Sequence, residues 1–102
     1  MKKTDVVKVK RIVQIELNKI AKKYKWYDKP VLDIVESEVE PNHWAVQVRT
    51  DADSYDYFYD YFAEKTSHKL QNEVMKTVDK KMKWKKGEHY FEPFGEGILN
   101  LY

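Results

Sequence analysis

The chain of 102 residues contains no cysteine, no long apolar run and no large excess of charge of one sign. The lack of cysteine excludes disulfide bonds, thiolate chemistry and the usual cysteine-based zinc sites. No apolar run approaches the roughly 20 residues that a transmembrane helix needs, and the charged first residues lack the apolar core of a signal peptide. We therefore expect a cytoplasmic protein that does not contact a membrane.

The charge totals are high but nearly balanced, with 19 Lys and Arg residues, 17 Asp and Glu residues and a net charge of +2. From these totals no field of one sign is expected over the whole molecule, so any electrostatic interaction has to be local. A chain of this length builds one hydrophobic core and not two, which predicts a single domain over 1–102.

Residue types that support catalysis are present, but not in a catalytic pattern. His43, His68 and His89 do not stand at metal-ligand spacings, and no serine has the context of a nucleophile. The GEG sequence at 95–97 predicts a hairpin turn and not a phosphate loop, because no helix follows it. We predict no catalytic residues, no metal, no cofactor and no enzymatic activity.

Several short segments recur in the same order, which predicts an internal duplication. Lys22–Trp26 (KKYKW) returns 58 positions later as Lys80–Trp84 (KKMKW). Val39–Pro41 (VEP) is echoed by Phe91–Pro93 (FEP), and Val46–Val48 (VQV) by Leu99–Leu101 (LNL). Ordered echoes of this kind are typical of two copies of one supersecondary unit.

Each predicted copy is a helix followed by a β-hairpin. Apolar residues spaced by three and four from Val9 to Tyr24 predict the first helix, with Thr4 or Asp5 as its N-cap. Strands are predicted over 31–39 and 44–50, and in the second copy over 89–92 and 98–102 after a helix that ends at Lys86-Gly87. The expected fold is α+β: two αββ repeats, about 6–50 and 64–102, with pseudo-two-fold symmetry and helices packed on a small antiparallel sheet.

The connecting segment 51–63 mixes aspartate with tyrosine and phenylalanine. We favour a helix here, because aspartate is poor in strands and suits a helix N-terminus, although a strand is the alternative. We favour a continuous or kinked helix over 53–84, although a short separate helix before Thr66-Ser67 leaves open whether there is one helix or two. Six aromatic residues in eight positions exceed what one helix face can bury, so some tyrosines are expected to be accessible.

Two kinds of binding surface follow from these features. The favoured one is a groove or sheet edge between the repeats that takes a peptide or protein segment, anchored by aromatic side chains and by backbone pairing. Its predicted anchors are Trp26, Trp84, Tyr55, Tyr57, Tyr59 and Tyr61.

The alternative is nucleic-acid binding, in which lysines at both helix C-termini contact phosphates and the tryptophans stack. The lysines concerned are Lys22, Lys23, Lys25, Lys80, Lys81 and Lys83. The same pattern also suits a solvated helix end, where lysine complements the helix dipole and tryptophan closes the core edge.

In type the chain resembles the small proteins of filamentous viruses that infect hyperthermophilic archaea. It is rich in Lys, Glu and Tyr, free of cysteine and about a hundred residues long, and the duplicated KKxKW unit narrows the resemblance to the acidianus filamentous viruses. The resemblance implies a viral protein in the host cytoplasm, and it assigns no catalytic residue to this chain. It leaves open whether the protein is a monomer or a homodimer.

Overall fold

The structure, a computed structural model, describes residues 1–25, 30–49, 68–95 and 98–102. They form two helices and a four-stranded antiparallel sheet, which confirms the predicted α+β class. The elements in chain order are α1 (Lys3–Lys23), β1 (Val31–Glu36), β2 (Trp44–Arg49), α2 (His68–Met82), β3 (Phe91–Gly95) and β4 (Ile98–Leu101). Within the described part of the chain, no helix is long and apolar enough to cross a bilayer.

The sheet has the order β1-β2-β4-β3, so the second strand of each hairpin lies at the centre. Gln47 of β2 stands opposite Asn100 of β4, with the pairs Val46–Leu101 and Val48–Leu99 on either side. β3 is an edge strand, which tolerates Pro93 because an edge position can do without a donor to a further strand.

Both helices cover the same sheet face, where one cluster of buried side chains forms the core. α1 contributes residues spaced by three and four, from Val6 to Ala21, as its apolar pattern predicts. Leu17 at its centre is fully buried. The other members include Leu32, Val46, Val48, Leu70, Val74, Met75, Val78, Phe91, Leu99 and Leu101.

The opposite sheet face carries a row of polar side chains that bond across the strands. Gln47 donates from Nε2 to Asn100 Oδ1 at 3.1 Å, and Asn100 donates from Nδ2 to the Tyr102 hydroxyl at 3.2 Å. Asn100 is only 2% exposed. Its hydrogen bonds therefore matter, because a buried amide without partners would destabilise the fold.

α1 starts earlier than predicted, and the expected cap at Thr4 or Asp5 is wrong. Lys2 stands at the N-cap position and makes no side-chain capping bond. Instead, Met1 and Trp44 exchange two backbone hydrogen bonds, from Met1 N to Trp44 O at 2.9 Å and from Trp44 N to Met1 O at 2.8 Å. This contact with β2 positions the residues that enter the helix, so a tertiary interaction replaces the local cap.

α2 ends at Met82, and the predicted end at Lys86-Gly87 is therefore wrong. Lys83 adopts a left-handed conformation (φ 59°), and Trp84 N–H donates to the Asp79 carbonyl at 2.9 Å. A left-handed residue with this bond closes a helix in the Schellman manner. At the end of α1, Lys25 is also left-handed (φ 55°), and it holds the same place in KKYKW as Lys83 in KKMKW.

The strand limits also differ from the prediction. β1 stops at Glu36 and not at Val39, because the Ser37 hydroxyl accepts hydrogen bonds from the N–H groups of Val39 and Glu40 and so forms a turn. In the second hairpin, β3 runs over Phe91–Gly95, later than the predicted 89–92. Trp26 and the segment 51–63 lie outside the described residues, so the question of one helix or two stays a prediction.

Candidate functional site

Basic residues are concentrated in the helical layer, which we define as residues 1–25 and 68–86. This layer holds 16 of the 19 Lys and Arg residues and only four acidic residues, a net charge of +12. The sheet layer, defined as residues 30–49, 87–95 and 98–102, holds one basic residue and six acidic ones, a net charge of −5. The near-neutral total thus conceals two regions of opposite sign.

The lysines predicted to bind nucleic acid are all exposed, but they do not form one patch. Lys22, Lys23 and Lys25 lie at the C-terminal end of α1. At the N-terminal end of α1, Met1 lines the same groove as His89, which closely follows the lysines at the end of α2. A helix of 21 residues is roughly 30 Å long. The lysines at the C-terminal end of α1 and those at the C-terminal end of α2 therefore lie at opposite ends of the helical layer.

Trp84 is half-buried and packs against the core, and its role as an anchor stays a prediction. Its ring stacks on His89 with the centroids 3.7 Å apart and the planes at 27°. His89 is held in turn by its Nδ1, which lies 2.5 Å from the Tyr102 carbonyl oxygen. The other predicted anchors, Trp26 and the four tyrosines of 55–61, lie outside the described residues.

A groove of about 400 Å³ lies between the two hairpins. We call it the inter-hairpin groove, and its lining residues are Met1, Ser37, Val39, Glu40, His43, Glu88, His89, Tyr90, Glu92 and Tyr102. Val39, Tyr90 and Tyr102 are exposed apolar or aromatic surface. Three carboxylates and no Lys or Arg side chain line the groove, so its side chains suit a cationic segment.

The acidic side chains of the groove interact with neighbours in the lining. Glu40 Oε2 lies 3.3 Å from His43 Nδ1 at the rim. The Tyr90 hydroxyl donates a hydrogen bond to Glu92, and this bond together with the Glu92 charge raises the pKa of Tyr90. Glu40 and Glu92 therefore each interact with another residue of the groove lining.

A second cavity, of about 530 Å³, lies beside Trp84 and shares His89 and Tyr90 with the groove. We call it the Trp84 cavity, and its other lining residues are Asn72, Met75, Lys76, Asp79, Lys80, Lys86 and Gly87. Asp79 Oδ1 is shielded from solvent and accepts no hydrogen bond from the described residues. Burial raises the pKa of Asp79, a shift that His89 opposes and Glu88 increases.

Among the residues that the structure describes, no group of three His, Asp or Glu side chains is placed to hold a metal ion. No protein-family model matches the chain, and no curated protein or solved structure matches it either. The geometry of the groove, the cavity and the charged layers is therefore the basis for inferring a function.

Sequence reasoning missed most of the groove residues. The segments Val39–Pro41 and Phe91–Pro93 were noted only as evidence of an internal duplication, although Val39, Glu40 and Glu92 line the groove. The charge separation did have a sequence signal, because the basic residues cluster along the chain in two blocks. That signal appears when charge is summed by predicted element rather than over the whole chain.

Proposed function

We propose that the protein is a non-enzymatic interaction module that binds a lysine- or arginine-bearing peptide segment of a partner protein in the inter-hairpin groove. The observation that carries the proposal is the lining of this groove, where both hairpins contribute and acidic side chains stand beside exposed tyrosines. Tyrosine supplies rigid contact area and a hydroxyl, which protein-binding surfaces favour. Glu40, Glu88 and Glu92 would pair with the cationic side chains.

A peptide in this groove has backbone groups to pair with at the edge of the sheet. β3 lies at the edge, and Tyr90 and Glu92 place its first residues beside the groove. An extended segment that adds to such an edge gains main-chain hydrogen bonds, while side chains at alternate positions enter the groove. Because Trp84 packs on the core behind His89, it would support the groove wall rather than hold the peptide.

We further propose that the two αββ units arose by duplication and that the groove lies where they join. The central pairing of Gln47 with Asn100 and the left-handed Lys25 and Lys83 support this idea. If the resemblance to viral proteins is correct, the peptide belongs to a viral or host protein.

The test is a selection of random peptides displayed on phage, followed by titration calorimetry of the enriched sequences. We expect enriched peptides to carry Lys or Arg, and the double change Glu40→Lys and Glu88→Lys to weaken their binding at least about tenfold. Glu73→Lys is the matched control, since Glu73 is exposed on α2 outside the groove. No enrichment, or equal weakening by Glu73→Lys, would refute the proposal.

A second candidate function is nucleic-acid binding by the helical layer, and the specific observation in its favour is the net charge of +12. Almost all the lysines of this layer are exposed, so their ammonium groups are available to phosphates. Lysine contacts of this kind bind the nucleic-acid backbone regardless of base sequence.

This candidate is tested by fluorescence anisotropy with labelled duplex DNA and RNA at low and moderate salt. Lys22→Gln and Lys81→Gln should each weaken binding and make the salt dependence shallower by about one unit, because each variant leaves one phosphate without its lysine. Arg49→Gln removes the same charge from the sheet layer, where Arg49 pairs with Asp33, and should leave binding unchanged. No binding at low salt would exclude this candidate.

A further inference from the structure

The Trp84 cavity is lined by aromatic, cationic and uncharged or acidic polar side chains. Trp84, His89 and Tyr90 supply aromatic rings, Lys76, Lys80 and Lys86 supply positive charge, and Asn72 and Asp79 supply polar groups. Its volume of about 530 Å³ lies within the range of small-molecule sites, roughly 300–1,000 Å³.

The aromatic wall of this cavity is preorganised. Trp84 is fixed by its packing on the core and by its backbone bond to the Asp79 carbonyl. His89 is fixed by its stack on Trp84 and by its contact with the Tyr102 carbonyl. Rings already held in place lose little freedom when a flat ligand stacks beside them, which favours binding.

The lysines surround the cavity from two elements. Lys76 and Lys80 are four positions apart on α2 and so lie on one helix face, and Lys86 comes from the turn that follows. The C-terminal end of a helix carries about half a negative charge, which disfavours an anion. Three ammonium groups outweigh this half charge and the Asp79 carboxylate together, and so leave the cavity attractive to a phosphate.

The polar groups give the site a preference among bases. Asp79 and Asn72 both line the cavity, where Asp79 supplies a carboxylate and Asn72 offers both a donor and an acceptor. A carboxyl group accepts hydrogen bonds from an exocyclic amino group, which adenine and cytosine have and uracil lacks.

From this arrangement we infer that the Trp84 cavity binds a nucleotide whose base carries an exocyclic amino group. The base lies against the aromatic wall, the amino group faces Asp79 and Asn72, and the phosphate lies among Lys76, Lys80 and Lys86. The inference goes beyond both functions proposed above, since a mononucleotide needs neither the inter-hairpin groove nor a long basic surface.

The experiment is a titration of isotope-labelled protein followed by two-dimensional NMR, with AMP, UMP, adenosine and inorganic phosphate as probes. AMP should shift the indole N–H signal of Trp84 and the amide signals of Asn72 and Lys76. UMP, adenosine and phosphate should each bind at least about fivefold more weakly than AMP. The amides of Val39 and His43, which line only the groove, should not move.

Two outcomes would overturn the inference: AMP leaves the cavity signals unchanged, or phosphate alone reproduces the shifts with the affinity of AMP. Neither result bears on the inter-hairpin groove, because peptide binding is measured separately and through other residues.

A second test compares the AMP affinity of two pairs of lysine variants. Lys76→Gln combined with Lys80→Gln should weaken AMP binding about tenfold, because the phosphate then has two fewer cationic partners. Lys8→Gln combined with Lys19→Gln removes the same charge from exposed positions of α1 and should change the affinity less than about twofold. Equal weakening by both pairs would mean diffuse attraction without a site, and would overturn the inference.

The same signals identify the source of the nucleotide. If a short oligodeoxyadenylate displaces AMP from the cavity, the site accepts a base of a single strand. If AMP binds and the oligomer does not displace it, the ligand is a free nucleotide.

Discussion

The helical layer and the sheet layer share one core but differ in almost every surface property. The helical layer has a net charge of +12 and carries many exposed lysines, whereas the sheet layer has a net charge of −5 and presents carboxylates beside tyrosines. The net charge of +2 therefore does not describe the charge of either layer. A small domain can present two surfaces that attract partners of opposite charge.

The two layers can act separately because salt limits how far each field extends. The shortest principal-axis extent of the domain is 21 Å, whereas the Debye length at physiological ionic strength is about 8 Å. A phosphate near the C-terminal end of α1, roughly 30 Å along the helix from the end that follows Met1, is therefore screened from the acids of the inter-hairpin groove. The exception is the region around His89 and Tyr90, where the groove and the Trp84 cavity adjoin.

The largest expected effect comes from breaking the core that joins the layers. Leu17 is fully buried on α1, and Leu17→Ala should lower the free energy of unfolding by about 2–5 kcal/mol, because it removes apolar contacts and leaves a cavity. Urea unfolding measures the loss, and Ile15→Ala on the exposed side of the same helix should cost less than about 1 kcal/mol. If Leu17→Ala unfolded one layer alone, the two layers would not be one cooperative unit.

A smaller effect is expected at the end of α2, where Lys83 is left-handed. Lys83→Gly should stabilise the fold by about 0.5–1 kcal/mol, since glycine adopts this conformation without a Cβ clash. Lys81→Gly removes the same charge within the helix and should instead destabilise by about 1 kcal/mol. Thermal unfolding of both variants decides the matter, and a change of the same sign in both would contradict the backbone explanation.

The smallest effect concerns Asp79, an acid within the basic layer. Because burial raises its pKa, the unfolded chain ionises this group first as the pH rises above 3.8, and stability falls until the folded protein has ionised too. Asp79→Asn should therefore stabilise the protein at pH 7, and the gain should shrink below pH 3.8. Denaturant unfolding at both pH values measures it, with exposed Glu73→Gln as control. A gain independent of pH would contradict the assignment.

Much of the fold could be predicted because its signals are local. The spacing of apolar residues identified the buried face of α1, and the strand predicted over 44–50 corresponds to β2. The errors lie at the ends of elements. There the backbone pairing of Met1 with Trp44 and the left-handed Lys83 decided the boundary, and neither follows from the residues nearby.

The candidate sites were harder to predict than the fold. The anchor role of Trp84 stays a prediction, and neither its stack on His89 nor its packing on the core could be inferred from the sequence. Tyr90 and Tyr102 carry no local signal for binding. They line the same groove as Val39 because the strand order brings the two hairpins together, and this order cannot be read from composition or periodicity.

The sequence by itself determined the types of the elements, the apolar faces that pack together and the division of charge between helices and strands. These properties depend on propensity and periodicity, which act over a few residues. Only the tertiary structure decided the register that sets Gln47 opposite Asn100, the groove between the hairpins and the cavity beside Trp84. Those features depend on hydrogen bonds and packing between residues far apart in the chain. Many strand pairings are compatible with the local pattern, and the shared core selects one of them because it buries the apolar faces together.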